Sequence, residues 1–151
     1  MSALKEKLRN DLSAAIKARD GVRTRTLRMA LTAVTNEEVA GKQARELSDD
    51  EVVKVLAREA KKRREAADAF ADAGRPEQAA AERAEGEVIN DYLPAQLADE
   101  ELAGLVSAAI AETGAAGPRA MGQVMKVVRP KIGDRADGGR IAAEVKRQLG
   151  T

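Results

Sequence analysis

Apolar residues recur at three- and four-residue spacing along the chain, and nowhere do apolar and polar residues alternate over the length of a strand. Leu4, Leu8, Leu12, Ala15 and Ile16 make the first stripe; Leu27, Ala30, Leu31 and Val34 make the second. This periodicity restricts the fold to all-α. The side chains available restrict it further. Phe70 and Tyr92 are the only aromatics, and much of the apolar content is alanine. The core must therefore consist of thin seams of Leu, Ile, Val and Met between helices, with modest stability for 151 residues.

Boundary residues divide the stripes into helices. Ser2 is placed to cap the first, and Asp20-Gly21 to stop it. The second ends near Ala40-Gly41-Lys42. Ser48-Asp49-Asp50-Glu51 is a capping box opening a third, with a seam of Val52, Leu56, Ala60, Ala67 and Phe70. Lys61-Lys62-Arg63-Arg64 lie within it. Four consecutive helical positions spread over about 300°, so they form no compact patch and read as structural. Gly74 and Arg75-Pro76 join this helix to a fourth by a very short turn, giving an αα-hairpin. Ala80, Ala84, Val88 and Ile89 are the expected contacts of the fourth helix, and its acids can face the basic third one. Pro94 forces Leu93 to be extended, which ends this unit.

Three short helices follow. The first starts near Asp99 and carries Leu102, Leu105, Val106, Ala109 and Ile110. After a Gly114–Gly117 loop, Pro118 opens the second, with Met121, Val124, Met125 and Val128 inward and Pro130 as its expected end. Gly133 to Gly139 form a turn with Asp137 as the N-cap. The third carries Ile141, Ala142, Val145 and Leu149. The expected organisation is a four-helix N-terminal domain over residues 1–93 with a long αα-hairpin, and a three-helix tail domain over residues 94–151.

The chain has no cysteine and no histidine. That excludes disulfides, thiolate or imidazole metal sites, cysteine nucleophiles and histidine-based triads. Glu59 and Glu65 have no partner base and receive no catalytic role. No apolar run approaches the length of a membrane span, and the charges among Leu4, Leu8 and Leu12 are unlike a signal peptide, so a cytoplasmic protein is expected. The scarcity of aromatics argues against RNA modules that stack bases on aromatic platforms.

Charge is unevenly distributed. Residues 76–114 hold nine acids and one base, a net charge of −8; residues 115–151 hold eight bases and three acids, a net charge of +5. Local positive charge attracts polyanions. Lys126, Arg129, Lys131, Arg135 and Arg140 surround one inter-helix turn, and with Lys146 and Arg147 they are the candidate RNA-binding residues. Arg19, Arg23, Arg25 and Arg28 are a second, weaker cluster. Gly133-Asp134-Arg135-Ala136-Asp137-Gly138-Gly139 resembles a phosphate cradle, but its aspartates would repel a phosphate; a tight turn with an Asp137 cap is the better reading. It lacks the order of a Walker motif and the spacing of a calcium loop. Met121 and Met125, four apart, read as core filling. No metal, cofactor or small-molecule site is expected.

Seven short stretches occur in an order that resembles one family: Leu27-Arg28-Met29, Asn36-Glu37-Glu38, Arg58-Glu59-Ala60-Lys61-Lys62-Arg63, Gly74-Arg75, Tyr92-Leu93-Pro94-Ala95-Gln96-Leu97, Met121-Gly122-Gln123-Val124-Met125 and Gly133-Asp134-Arg135-Ala136-Asp137-Gly138. Together they resemble the GatB/YqeY family, and specifically its stand-alone YqeY-like members. Where the family has Ser or Thr after Gln-Leu, this chain has Ala98, so Asp99 is expected to take the cap. The resemblance implies two helical domains, the second similar to the tail of the B subunit of the glutamyl/aspartyl-tRNA amidotransferase, which helps to recognise transfer RNA. The family description of carbon–nitrogen ligase activity, with glutamine as amido-nitrogen donor, is on this reading inherited from that relative, whose catalytic parts have no counterpart here. The expectation is a non-catalytic accessory module that binds tRNA. The alternatives are a protein-interaction adaptor, or an amidotransferase-associated subunit active only in a complex.

Overall fold

The computed structural model describes residues 2–114 and 116–150. Their elements are α1 (Ala3–Lys17), α2 (Gly21–Glu38), α3 (Asp49–Asp72), α4 (Pro76–Asn90), α5 (Asp99–Thr113), a 3-10 turn (Pro118–Ala120), α6 (Met121–Ile132), a second 3-10 turn (Gly133–Arg135) and α7 (Gly138–Leu149). The protein is all-helical, with no strand among the described residues. It divides into two compact units, Met1–Leu93 and Pro94–Thr151.

Side-chain oxygens start four of the helices. Ser2 Oγ accepts from the Lys5 N–H at 3.0 Å, Asp20 Oδ1 from Arg23 at 3.0 Å and Asp137 Oδ1 from Arg140 at 2.9 Å. At α3 the capping box is complete: Ser48 Oγ accepts from the Glu51 N–H, and Glu51 Oε1 accepts from the Ser48 N–H, both at 3.2 Å. Each such cap is worth about 1 kcal/mol.

Two expected boundaries differ. Asp20-Gly21 does not stop α1; it starts α2, because Asp20 satisfies the next helix's free N–H. The stop is Arg19, at φ 58, where the Arg19 and Asp20 N–H groups bond back to Ile16 and Ala15. Pro130 does not end α6, which continues to Ile132. A proline within the last turn leaves one carbonyl without its helical donor, and the helix runs on to Gly133, at φ 60 and ψ −131. At α5, Asp99 does not take the cap. Ala98 holds that position with no side-chain acceptor, and Glu101 Oε1 accepts from the Ala98 N–H at 3.3 Å, supplying half of a capping box.

In the first unit α3 and α4 form the expected hairpin. Gly74, at φ 74, lets the Gly74 and Arg75 N–H groups return to Ala71 and Phe70 at 3.1 and 2.8 Å. Leu8, Leu27, Val34, Val52, Leu56 and Ile89 are buried in one core, each contributing about 1.5–3 kcal/mol. The expected seams shift in two places. Phe70 is only half-buried and Ala80 is exposed; Ala79 and Gly86 are buried instead. A run of alanines carries no signal of which one faces inward, and Gly86 has no side chain to mark its face. The inward position between Ala60 and Ala67 belongs to Arg63.

The second unit is a three-helix cluster. Val106, Val124, Val128, Ile132, Ile141 and Val145 are buried together with Leu97, Leu102 and Ala136. Met121 and Met125 pack against this core half-buried, as filling.

Candidate nucleic-acid interface

The charge reversal lies inside the second unit, between α5 and α6. Counted over residues 94–151, eight bases face seven acids. Several of the bases are committed within the unit. Lys131 Nζ reaches Glu112 Oε2 of α5 at 2.6 Å, and Arg140 Nη2 reaches Asp99 Oδ1 at 2.8 Å. Arg147 Nε donates to Glu144 Oε2 at 3.0 Å. The bonds from Arg147 and then Gln148 hold the Glu144 carboxyl down to about 2. Arg135 turns back on its own backbone, donating from Nη2 to the Lys131 carbonyl at 2.7 Å and from Nε to the Ile132 carbonyl at 3.2 Å. It thus satisfies carbonyls that the end of α6 leaves free. Lys146 is exposed on α7.

Lys126 and Arg129 differ from these. Both are exposed on α6, and among the described residues neither makes an ion pair or hydrogen bond. They share the outer face of α6 with Gly122, Gln123 and Pro130, opposite the buried Val124, Val128 and Ile132. Arg119, in the 3-10 turn ahead of α6, is a third exposed base without an ion pair among the described residues. No acid occurs between Glu112 and Asp134. Arg119, Lys126 and Arg129 are thus exposed bases with no ion pair among the described residues, available to an external anion. Arg129 also leans over the first residue of α7: a Cβ at Gly138 would lie 3.5 Å from its Nη2. Arg119 is not among the seven bases that the sequence nominates for RNA binding. The signal that marks it is the acid-free interval.

The glycine-rich turn between α6 and α7 is a structural junction. Asp137 already occupies the N-terminus of α7. Gln96 Nε2 donates to the Asp134 carbonyl at 3.0 Å, and the Leu97 N–H donates to the Arg135 carbonyl at 2.8 Å.

The basic clusters of the first unit are largely neutralised. Arg63 has a side chain 7% exposed between Glu59 of α3 and Glu85 of α4, at 3.2 and 3.4 Å. Lys62 pairs with Glu59 at 3.3 Å, and Lys61 stands 3.9 Å from Glu65. Arg23 Nη2 donates to the Tyr92 hydroxyl at 3.3 Å, and Arg25 is 3.9 Å from Glu85. Arg19 and Arg28 are exposed. No group of three or more acids among the described residues is arranged to hold a metal ion, and no helix among them is long and apolar enough to cross a membrane.

No curated protein matches the chain. The family model described as Yqey-like protein matches residues 5–149, across both units, and the chain belongs to this YqeY-like family.

Proposed function

We propose that the protein is a non-catalytic, cytoplasmic accessory module that binds the backbone of a folded transfer RNA along the outer face of α6. The observation carrying this reading is that Arg119, Lys126 and Arg129 are exposed and without ion pairs among the described residues, in a stretch of sequence with no acid between Glu112 and Asp134. A lysine or arginine already paired to a carboxylate gains little by exchanging it for a phosphate; an unpaired one gains the full release of the phosphate's counterion. Lys131, Arg140 and Arg147 therefore add less than their charge implies. Transfer RNA is favoured among polyanions by the resemblance of residues 94–151 to the amidotransferase tail. With Tyr92 buried and Phe70 half-buried, stacking on bases contributes nothing, so recognition runs through shape and phosphate. Without histidine or cysteine, the chain has no thiol nucleophile and no imidazole base for amide chemistry.

A second reading, an adaptor for an acidic protein such as an amidotransferase subunit, is favoured by the near balance of bases and acids in the second unit. Equilibrium binding of the purified chain to a folded tRNA and to an unstructured strand of equal length separates the two. Preference for the folded RNA supports the first. Equal affinity for both, or no binding, moves the assignment to the adaptor.

A further inference from the structure

Resting on the tRNA reading above, we propose that Gly122 is where the RNA backbone comes closest to α6: a ribose–phosphate unit lies against the bare helix there, and Lys126 and Arg129 hold its phosphates. Gly122 is exposed in the first turn of α6. At a helical position glycine is destabilising relative to alanine, because it loses more backbone freedom on folding. Nothing in the fold requires it. Its φ lies outside the left-handed region, unlike those of Gly114, Gly117 and Gly133. A Cβ built on it would meet nothing within 4 Å. An alanine would therefore fit the folded chain without strain, and the missing side chain leaves a gap that only an external molecule can use.

The surroundings of this gap name the molecule. Residues 122, 126 and 129 are spaced i, i+4 and i+7, which at roughly 100° per residue puts them within a 60° arc of the helix. Lys126 and Arg129 are exposed and make no ion pair among the described residues. Side chains on a helix lean towards its N-terminus, so the surface over Gly122 is the surface that Lys126 reaches. A polyanion entering the gap can set its sugar against the helix backbone while its phosphates stay within range of both bases. A side chain at position 122 would hold it off. An open glycine alone makes no such site. Gly104 of α5 is also exposed, with nothing within 4 Å of a built Cβ, but α5 contains no lysine or arginine. It supplies the control.

The test is equilibrium binding of a folded tRNA to the intact chain and to its Gly122→Ala, Gly122→Leu and Gly104→Ala variants, with thermal melting and circular dichroism of each. Both alanine variants should melt above wild type by about 2 °C or more, since each gains helix propensity at an open position. Gly104→Ala should bind as wild type does. Gly122→Ala should weaken binding at least about three-fold and Gly122→Leu at least about ten-fold, the equivalent of one good contact. The loss should appear at low and moderate salt alike, because it arises from fit and leaves every base in place. Wild-type affinity in a helical Gly122→Leu, or an equal loss in Gly104→Ala, would overturn the proposal. So would a Gly122→Ala variant that melts below wild type, which would assign the glycine to the fold. A wild-type chain that binds no tRNA would overturn the tRNA reading and this proposal together. Binding abolished by changing Arg119, Lys126 and Arg129 to Glu, yet untouched by Gly122→Leu, would overturn this proposal alone.

Discussion

Gln96 and Asp134 stand 38 positions apart in the chain, and the Gln96 amide bridges them, donating to the Asp134 carbonyl at 3.0 Å and to the Pro94 carbonyl at 3.1 Å. Two of the stretches that resemble the YqeY family are thereby joined at one structural point. Gln96→Ala should lower the stability of the second unit by about 1 kcal/mol, the usual net worth of such a bond. Urea unfolding followed by circular dichroism measures it. A change within error would mean that the Leu97–Arg135 backbone bond alone fixes this turn.

Tyr92 closes the first unit from within. Its hydroxyl donates to Asp11 Oδ2 at 2.5 Å, and Lys7 stands 5.0 Å from the centre of its ring. Burial, and then the bond to Asp11, push its phenol well above the ordinary 10.0. A group whose folded value is raised stabilises fully below its unfolded value and loses that contribution as pH rises. The chain has a single tyrosine and no tryptophan, so tyrosinate absorbance reports this residue alone. The absorbance should rise only with alkaline unfolding, well above pH 10.0. A normal titration with the helices intact would contradict the burial of the hydroxyl.

Stability at low pH depends on carboxylates of the opposite kind. Arg45, and then the Ser48 N–H, hold Glu51 from its ordinary 4.5 down to about 2. Glu144 is held down to about 2 by Arg147 and Gln148. Asp11 is lowered by Lys7 and then Tyr92. Such groups stabilise above their unfolded values and lose that contribution as pH falls towards the folded ones. Thermal stability should therefore decline from about pH 4.5 towards pH 2, and less steeply in Glu51→Gln. Because the Glu51 side chain is partly open to solvent, added salt should shrink the difference between the two proteins.

Glu85→Ala removes one of the two carboxylates that hold Arg63. A buried guanidinium that loses part of its compensation should cost about 2 kcal/mol or more, several times the effect of removing Glu65 from its exposed pair with Lys61. Denaturant unfolding of the two variants compares them directly. Equal costs would show that Arg63 reaches solvent.

Arg63 also marks what the sequence leaves hidden. The helices, the hairpin at Gly74 and both apolar cores follow from periodicity and turn chemistry, because Leu, Val and Ile can lower their free energy only by facing inward. A charged residue within Lys61-Lys62-Arg63-Arg64 carries no such signal; it faces inward only because Glu59 and Glu85 accompany it. Ala79 rather than Ala80 faces inward on α4, and alanine, indifferent to side, gives no sequence signal of it. Pro130 suggests a terminus in the sequence, yet a proline in the last turn costs a helix little beyond one carbonyl's partner, and α6 runs on to Ile132. At the candidate interface, net charge along the chain revealed the basic stretch. Which bases are spent on Glu112, Asp99 and Glu144 depends on three-dimensional pairing, whereas Arg119 shares with Lys126 and Arg129 the acid-free interval visible in the sequence.

The most direct test of the tRNA assignment is the salt dependence of binding, for the wild-type chain and for one with Arg119, Lys126 and Arg129 all changed to Glu. Each phosphate contact contributes about 0.7–0.9 to the slope of log affinity against log salt, so three uncommitted bases should give the wild type a slope steeper than about −2. The triple variant should keep its helical circular dichroism and lose measurable binding. Changing the paired Lys131, Arg140 and Arg147 should leave most of the wild-type slope. A triple variant that binds tRNA with the wild-type slope would contradict the account.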